Sequence, residues 1–175
     1  MRGNTMKVII QDLPAEAFST ICPPSLENIR VITNESERIK HCIGCFGCWV
    51  KTPGICVIKD GYGDLGKLYA ECDELIVISK VQYGGYSAFV KNVMDRNIGY
   101  LLPFFTVRKS EMHHADRYPN RLKMTVIGYG EDITEEETET FKNLVAANAL
   151  NLNTQGYRVI MVKSPEEVKN VLEAL

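Results

Sequence analysis

The feature that most narrows the fold is a set of short apolar runs that do not alternate: "MKVII" (6–10), "ELIVIS" (74–79), "KMTVIG" (123–128) and "RVIMV" (158–162). A strand with one face in water alternates apolar and polar residues. A near-continuous Val/Ile run is covered on both faces, as in a parallel sheet with helices on each side. "NIRVIT" (28–33) reads as a weaker fifth strand near an edge.

Helical patterns lie between these runs. "DLGKLYAEC" places Leu65, Leu68, Tyr69 and Cys72 on one face, and "SAFVKNVMDRNIGYLL" begins at Ser87, a residue suited to an N-cap. Thr134 and Glu137 have the spacing of a capping box, followed by Phe141, Leu144, Val145, Ala149 and Leu152 at helical intervals, with Gly156 as the stop. Ser164-Pro165-Glu166-Glu167 opens a last helix in the same way, with Val168, Val171, Leu172 and Leu175 as its buried stripe. Strands alternating with helices predict an α/β three-layer sandwich with a five-stranded parallel sheet. Right-handed crossovers and the element count predict the flavodoxin-like order 2-1-3-4-5. The 175 residues show no repeat, linker or shift in composition, so one domain over 1–175 is expected.

Charge excludes some classes of partner. The net charge is −2, and Lys and Arg are scattered, so neither nucleic acid nor an anionic membrane surface is an expected partner. No run approaches the roughly 18 apolar residues that span a bilayer. The stretch before Gln11 is too short for a signal-peptide core, and a cytoplasmic location with reduced thiols is expected.

Four of the six cysteines stand in Cys42-x2-Cys45-x2-Cys48-x7-Cys56. Three thiolates two residues apart can converge on one face of a 4Fe–4S cluster, with the fourth arriving from the Pro53-Gly54 turn. Structural zinc also accepts four thiolates, and free thiols packed as small hydrophobes are the third reading. In "KVQYGGYS", Gly84 and Gly85 let backbone amides approach a flat ligand while Tyr83 and Tyr86 cover it. In "GYGED", Gly128, Tyr129 and Gly130 offer a second close approach. His113 and His114 lie in the polar stretch "RKSEMHHADRYPNR", read as a solvated or interface loop. "YLLPFF" (100–105) and Trp49 read as interface-forming apolar groups.

Taken together, "CIGCFGCWVKTPGICVIKD" (42–60), "VQYGGYSAFVKNVMDR" (81–96) and "MHHADRY" (112–118) resemble the NADPH-dependent FMN reductase family of flavodoxin-like proteins, in the cysteine-bearing branch that includes iron–sulfur flavoproteins. The resemblance implies FMN at the carboxyl edge of the sheet, with Tyr83, Gly84, Gly85, Tyr86 and Ser87 on one side of the ring and Gly128, Tyr129 and Gly130 on the other. It implies NAD(P)H as co-substrate, a small-molecule electron acceptor, a homodimer or tetramer, and a cluster at Cys42, Cys45, Cys48 and Cys56. No side chain is expected to act as a catalytic acid or base, because the redox chemistry belongs to the cofactors.

One loop departs from the family pattern. Its members carry a Gly/Ser/Thr-rich turn after the first strand, where helix N-terminal amides and hydroxyls cradle the FMN phosphate. Here the sequence is "QDLPAEAFSTICPP", with no glycine, three prolines and the acids Asp12 and Glu16. FMN with a weakened phosphate anchor, a phosphate held by other groups, and a chain without FMN all remain open. The alternatives to a flavin oxidoreductase are therefore a flavodoxin-like partner subunit that has lost FMN, and an iron–sulfur electron carrier.

Overall fold

The computed structural model describes residues 5–34 and 38–175. Five parallel strands form the central sheet: β1 (Lys7–Gln11), β2 (Ile29–Ile32), β3 (Glu74–Lys80), β6 (Lys123–Tyr129) and β7 (Gly156–Val162). Their order is β2-β1-β3-β6-β7, which is 2-1-3-4-5 among the sheet's own strands, as expected for the flavodoxin-like fold. Lys7 lies opposite Ile29 and Glu74, Glu74 opposite Lys123, and Lys123 opposite Gly156, so the strands start level and end together at one carboxyl edge.

The unbroken Val/Ile runs follow from burial on both faces. Val8, Ile10, Leu75, Val77, Met124 and Val126 face helices α3 (Leu65–Glu71), α4 (Ala88–Arg96) and α5 (Glu135–Asn151), through residues such as Tyr69, Val90 and Phe141. Ile9, Ile76, Ile78 and Ile127 face α1 (Ala15–Ile21) and α6 (Pro165–Glu173), through Phe18, Ile21, Val168 and Leu172. Edge strand β2 exposes Arg30 and Val31, which is why its sequence signal is weaker.

The helix starts hold with one difference. The Thr134 hydroxyl accepts the N–H of Glu137 at 3.1 Å, and the Glu137 carboxylate accepts the N–H of Thr134 at 3.0 Å, closing the capping box. At Ser164 no side-chain cap forms; the Glu167 carboxylate instead accepts the N–H of Lys163 at 3.1 Å. The stop of α5 also differs from expectation. Asn153 takes the left-handed conformation (φ 49°), and the N–H groups of Asn153 and Thr154 donate to the carbonyls of Leu150 and Ala149. This is a Schellman closure with asparagine in the glycine role, and Gly156 merely begins β7.

The larger correction lies between residues 97 and 116. Helix α4 ends at Arg96, and a 3-10 turn (Ile98–Tyr100) leads into an antiparallel hairpin, β4 (Leu101–Arg108) with β5 (Glu111–Asp116). Gly99 fits where a Cβ would meet the Gly54 carbonyl oxygen at 3.1 Å, so the chain must turn away there. "YLLPFF" is mostly strand, and His113 and His114 stand on β5 rather than in a loop. The turn, Lys109-Ser110, has both residues at positive φ (48° and 66°), a geometry that usually calls for Asn-Gly. Among the described residues no helix is long and apolar enough to cross a membrane.

Candidate functional site

Two places concentrate chemistry, at opposite ends of α4. Its nine residues rise about 13 Å at 1.5 Å per residue.

The first is the carboxyl edge of the sheet. The strand order reverses between β1 and β3, which is where such sheets bind ligands. Asp12, just beyond β1, sits there. Its Oδ2 accepts the N–H of Lys80 at 2.9 Å and its Oδ1 accepts the Tyr129 hydroxyl at 3.0 Å. Burial, together with the Asp12 charge and its hydrogen bond, pushes the Tyr129 hydroxyl well above the ordinary tyrosine value, so it stays protonated and donating. Beside it lies a cleft of about 500 Å³ bounded by Lys80, Tyr129, Glu131, Asp132, Glu137 and Lys163.

The loop after β3 is a tight turn closed by its own bonds. The Gln82 N–H donates to the Gly85 carbonyl at 3.0 Å and the Gly85 N–H to the Gln82 carbonyl at 2.8 Å. Tyr83 (φ 53°) and Gly84 (φ 73°) make the bend, and Tyr83 is 96% exposed. A Cβ on Gly84 would stand 2.8 Å from the Cβ of Thr140, so the turn lies on α5. Tyr86 is buried: its hydroxyl accepts from Asn148 at 3.2 Å, its ring meets Phe141 edge-on, and burial pushes its pKa up to about 12. Ser87 caps α4 through its hydroxyl, and its own N–H donates to the buried Ser79 hydroxyl at 2.9 Å. Gly128 lies under Phe141, Val81 and Met161, and Gly130 packs against Ile133. Of the eight residues the sequence points to, Tyr83, Tyr129 and Gly130 border the open edge, while Tyr86 and Gly128 belong to the interior.

A flavin phosphate does not fit this edge. The loop from Gln11 to Ala15 offers a proline N-cap without a side-chain cap, and the donors of Lys80 and Tyr129 are already held by a carboxylate. Glu16 adds a second acid in the first turn of a seven-residue helix.

The second place is the cysteine loop. Cys42, Cys45, Cys48 and Cys56 all line one small enclosed space of about 30 Å³, walled by Ile43, Phe46, Ile58 and Ile98, with Arg96 against it. Phe46 at φ 54° and Gly44 at φ 64° turn the chain so that the short helix α2 (Gly47–Val50) can begin. Burial raises the Cys48 thiol, reinforced by the neighbouring Cys56, Cys42 and Cys45, against a hydrogen bond from its own backbone. A thiol so raised is a poor nucleophile and becomes a ligand only when a metal displaces its proton. Cys42 and Cys45 are exposed, and among the described residues no three of His, Cys, Asp or Glu are placed to hold a metal ion.

Sequence reasoning missed the group beneath this loop. Arg96 donates through Nη1 and Nη2 to both oxygens of Asp60, and through Nη1 to the carbonyl of Lys40 at 2.7 Å. The Lys40 N–H donates back to Asp60 at 2.8 Å. The pair therefore fixes the backbone two residues before Cys42. Thirty-six residues separate Arg96 from Asp60, and no local pattern signals such a pair. Burial works against the Arg96 charge, but Asp60 and the Cys56 thiol beside it hold it charged.

Rings connect the loop to the hairpin. Phe46 stacks on Trp49 (centroids 5.2 Å apart), Trp49 meets His114 at 4.8 Å, and His114 stacks on Phe105 at 5.1 Å. The Trp49 indole N–H is shared between the carbonyls of Ile98 and Leu101.

No protein-family profile matches the chain. Two curated proteins are similar over part of it. An iron-sulfur flavoprotein of Methanocaldococcus jannaschii is 34% identical over 95 residues, 54% of this chain and 45% of that protein. An iron-sulfur flavoprotein of Archaeoglobus fulgidus is 37% identical over 101 residues, 56% of this chain and 41% of that protein. The matches thus span less than half the length of these relatives. Among solved structures, the NAD(P)H:quinone oxidoreductase of Methanothermobacter marburgensis superposes with a TM-score of 0.64 over 98% of both chains at 14% identity. An azoreductase of Bacillus anthracis gives 0.60 over 97% of this chain and 92% of that one at 11% identity. General stress protein 14 of Treponema denticola, solved with FMN, gives 0.55 over 97% and 92% at 12% identity. The chain has a flavodoxin-like fold, and over about half of its length its sequence is similar to two archaeal iron–sulfur flavoproteins.

Proposed function

We propose that the chain is an electron-transfer component of a flavin oxidoreductase system, with the Cys42–Cys56 pocket as its own redox centre and a small molecule as the final acceptor. The observation that carries this reading is that Cys42, Cys45, Cys48 and Cys56 all border one small pocket beside a buried arginine. An iron–sulfur cluster, the group in the names of the two archaeal relatives, would be held by the thiolates of Cys42, Cys45, Cys48 and Cys56 and would supply one-electron transfer. The chain's own residues prepare that place. Ile58 and Ile98 wall the place with half-buried apolar side chains, and Arg96 would offset part of the negative charge that four thiolates bring. The Arg96–Asp60 pair fixes the loop's entry at Lys40, and ligation would require the exposed Cys42–Cys45 segment and the walls of the pocket to rearrange.

The test is iron and acid-labile sulfide analysis of protein purified without oxygen. About four of each per chain are expected, falling together when Cys48 or Cys56 becomes serine. Protein free of both, with all six cysteines titrating as free thiols, refutes the reading.

A second reading is favoured by the shared fold with a structure solved with FMN. It is an NAD(P)H-dependent flavin reductase in its own right, with the flavin lying at the carboxyl edge beside Tyr129 and the 82–85 turn. Flavin content and NAD(P)H oxidation by the same preparation decide between the two.

A further inference from the structure

Asp12 stands at the crevice where a sheet of this order takes its ligand, and it uses donors from the ends of two other strands. Lys80 is the last residue of β3 and gives its N–H; Tyr129 is the last residue of β6 and gives its hydroxyl. An N–H and a hydroxyl that converge beyond the strand ends would bind an anionic group. Here a side chain of the chain itself holds both. The cleft beside Tyr129 carries Glu131, Asp132 and Glu137 against Lys80 and Lys163, so the surroundings do not favour a second anion.

We propose that Asp12 is a built-in anion filling the phosphate corner of the carboxyl-edge site, so that the flavin phosphate gains nothing there and riboflavin binds about as well as FMN. The inference rests on the second reading above, that a flavin lies at this edge. Its mechanism is simple competition. A dianionic phosphate entering the corner must either displace the carboxylate from two hydrogen bonds or share the space with it as a like charge. Riboflavin has no phosphate and meets neither obstacle. The same isoalloxazine contacts remain open to both ligands, so the phosphate contributes no net affinity.

The structure also says how the phosphate's contribution can be restored. Shortening Asp12 to alanine frees the Lys80 N–H and the Tyr129 hydroxyl while leaving the strand ends in place. Asp12 is only partly buried, and its backbone is outside the sheet ladder.

The experiment is calorimetric titration of flavin-stripped full-length protein with FMN and with riboflavin at one fixed ionic strength. The wild-type protein is expected to bind the two within about tenfold of one another. Asp12→Ala is expected to leave riboflavin unchanged and to tighten FMN by about tenfold or more. Tyr129→Phe added to Asp12→Ala should take back part of that gain, because one of the two freed donors is gone. If Asp12→Ala does not fold, Asp12→Asn removes the charge at nearly constant shape, and the same shift toward FMN is expected. FMN binding more than about tenfold tighter than riboflavin in the wild type overturns the inference, as does an FMN-to-riboflavin ratio that no Asp12 variant changes. Binding of neither flavin to any of these proteins overturns both the inference and the second reading. FMN binding that exceeds riboflavin by more than about tenfold overturns the inference alone and leaves the second reading standing.

Discussion

Arg96 and Asp60 form a two-pronged ion pair in the interior, with Nη1–Oδ2 at 2.7 Å and Nη2–Oδ1 at 2.9 Å. Both side chains are almost fully removed from solvent. The pair lies between α4 and the segment that leads into the cysteines, and its energetics follow from that position. Removing one partner strands the other charge in an apolar setting, which typically destabilises by about 3–5 kcal/mol. Arg96→Met is therefore expected to lower unfolding free energy by about that amount in urea melts at neutral pH.

The same pair sets an acid limit. The Arg96 hydrogen bonds, aided by the N–H groups of Lys40 and Tyr62 and opposed by burial, hold the Asp60 carboxyl down at about 2. In the unfolded chain the value returns to about 3.9. A depressed folded value means that the stabilisation is fully present above about pH 4 and disappears as pH falls toward 2. Wild-type melts between pH 6 and 2 should show this loss. In Arg96→Met the contribution should be missing from the start, so the two curves converge at low pH. Parallel curves would show that Asp60 titrates without regard to Arg96.

Glycines separate two kinds of close approach. A Cβ on Gly66 would lie 2.6 Å from the Gly54 oxygen and 3.0 Å from atoms of Gly99 and Tyr100, all backbone. A Cβ on Gly128 would meet the side-chain ends of Phe141 and Val81 and the Met161 sulfur. Side chains can give way and backbone cannot. Gly128→Ala should cost about 1–3 kcal/mol, the usual range for an overpacked core. Gly66→Ala should cost more, because it separates α3 from the turn that carries the cysteine loop. Equal losses in thermal melts would refute the ranking.

Much of this architecture is readable from the sequence because each signal is local. Val and Ile runs report two-sided burial, and Thr134 with Glu137 reports a helix start, each within a few residues. The hairpin was missed because Lys109-Ser110 lacks the Asn-Gly signature, and because the apolar run at Leu101–Phe105 reads equally well as a helix end. The cysteine spacing is visible, but the buried charge beneath it is not, since Asp60 and Arg96 come from separate elements. Asp12 is legible as an acid in the wrong place for a phosphate. Its bonds to Lys80 and Tyr129 are not, because they depend on three strands ending level.

Trp49 is the chain's sole tryptophan, so its emission reports directly on the contact between the cysteine loop and the hairpin. His114→Ala removes the ring between Trp49 and Phe105 and should lower stability by about 0.5–1.5 kcal/mol, the usual worth of an aromatic pair. It should also shift the emission to longer wavelength as water reaches the indole. Phe104→Ala, at an exposed position on the same strand, should leave the emission in place. Identical spectra for wild type and His114→Ala would mean that the stack does not persist in solution.

The outer face of the hairpin bears on assembly. Val107 and Met112 are cross-strand partners, 71% and 73% exposed, and Phe105 continues the same apolar surface along β4. Contiguous exposed apolar groups of this kind mark interaction surfaces, and the open strand pair offers them with no covering element among the described residues. A second copy of the chain is the expected occupant, consistent with a homodimer or tetramer. Light scattering at micromolar concentration should give at least twice the 19.7 kDa chain mass. Val107→Glu with Met112→Glu places charge on that surface without touching the Trp49–His114 stack or the core. The double variant should keep its melting temperature and its tryptophan spectrum while its mass falls toward that of one chain. A wild-type protein that scatters as a monomer refutes this assignment. A double variant that remains oligomeric locates the interface elsewhere on the molecule.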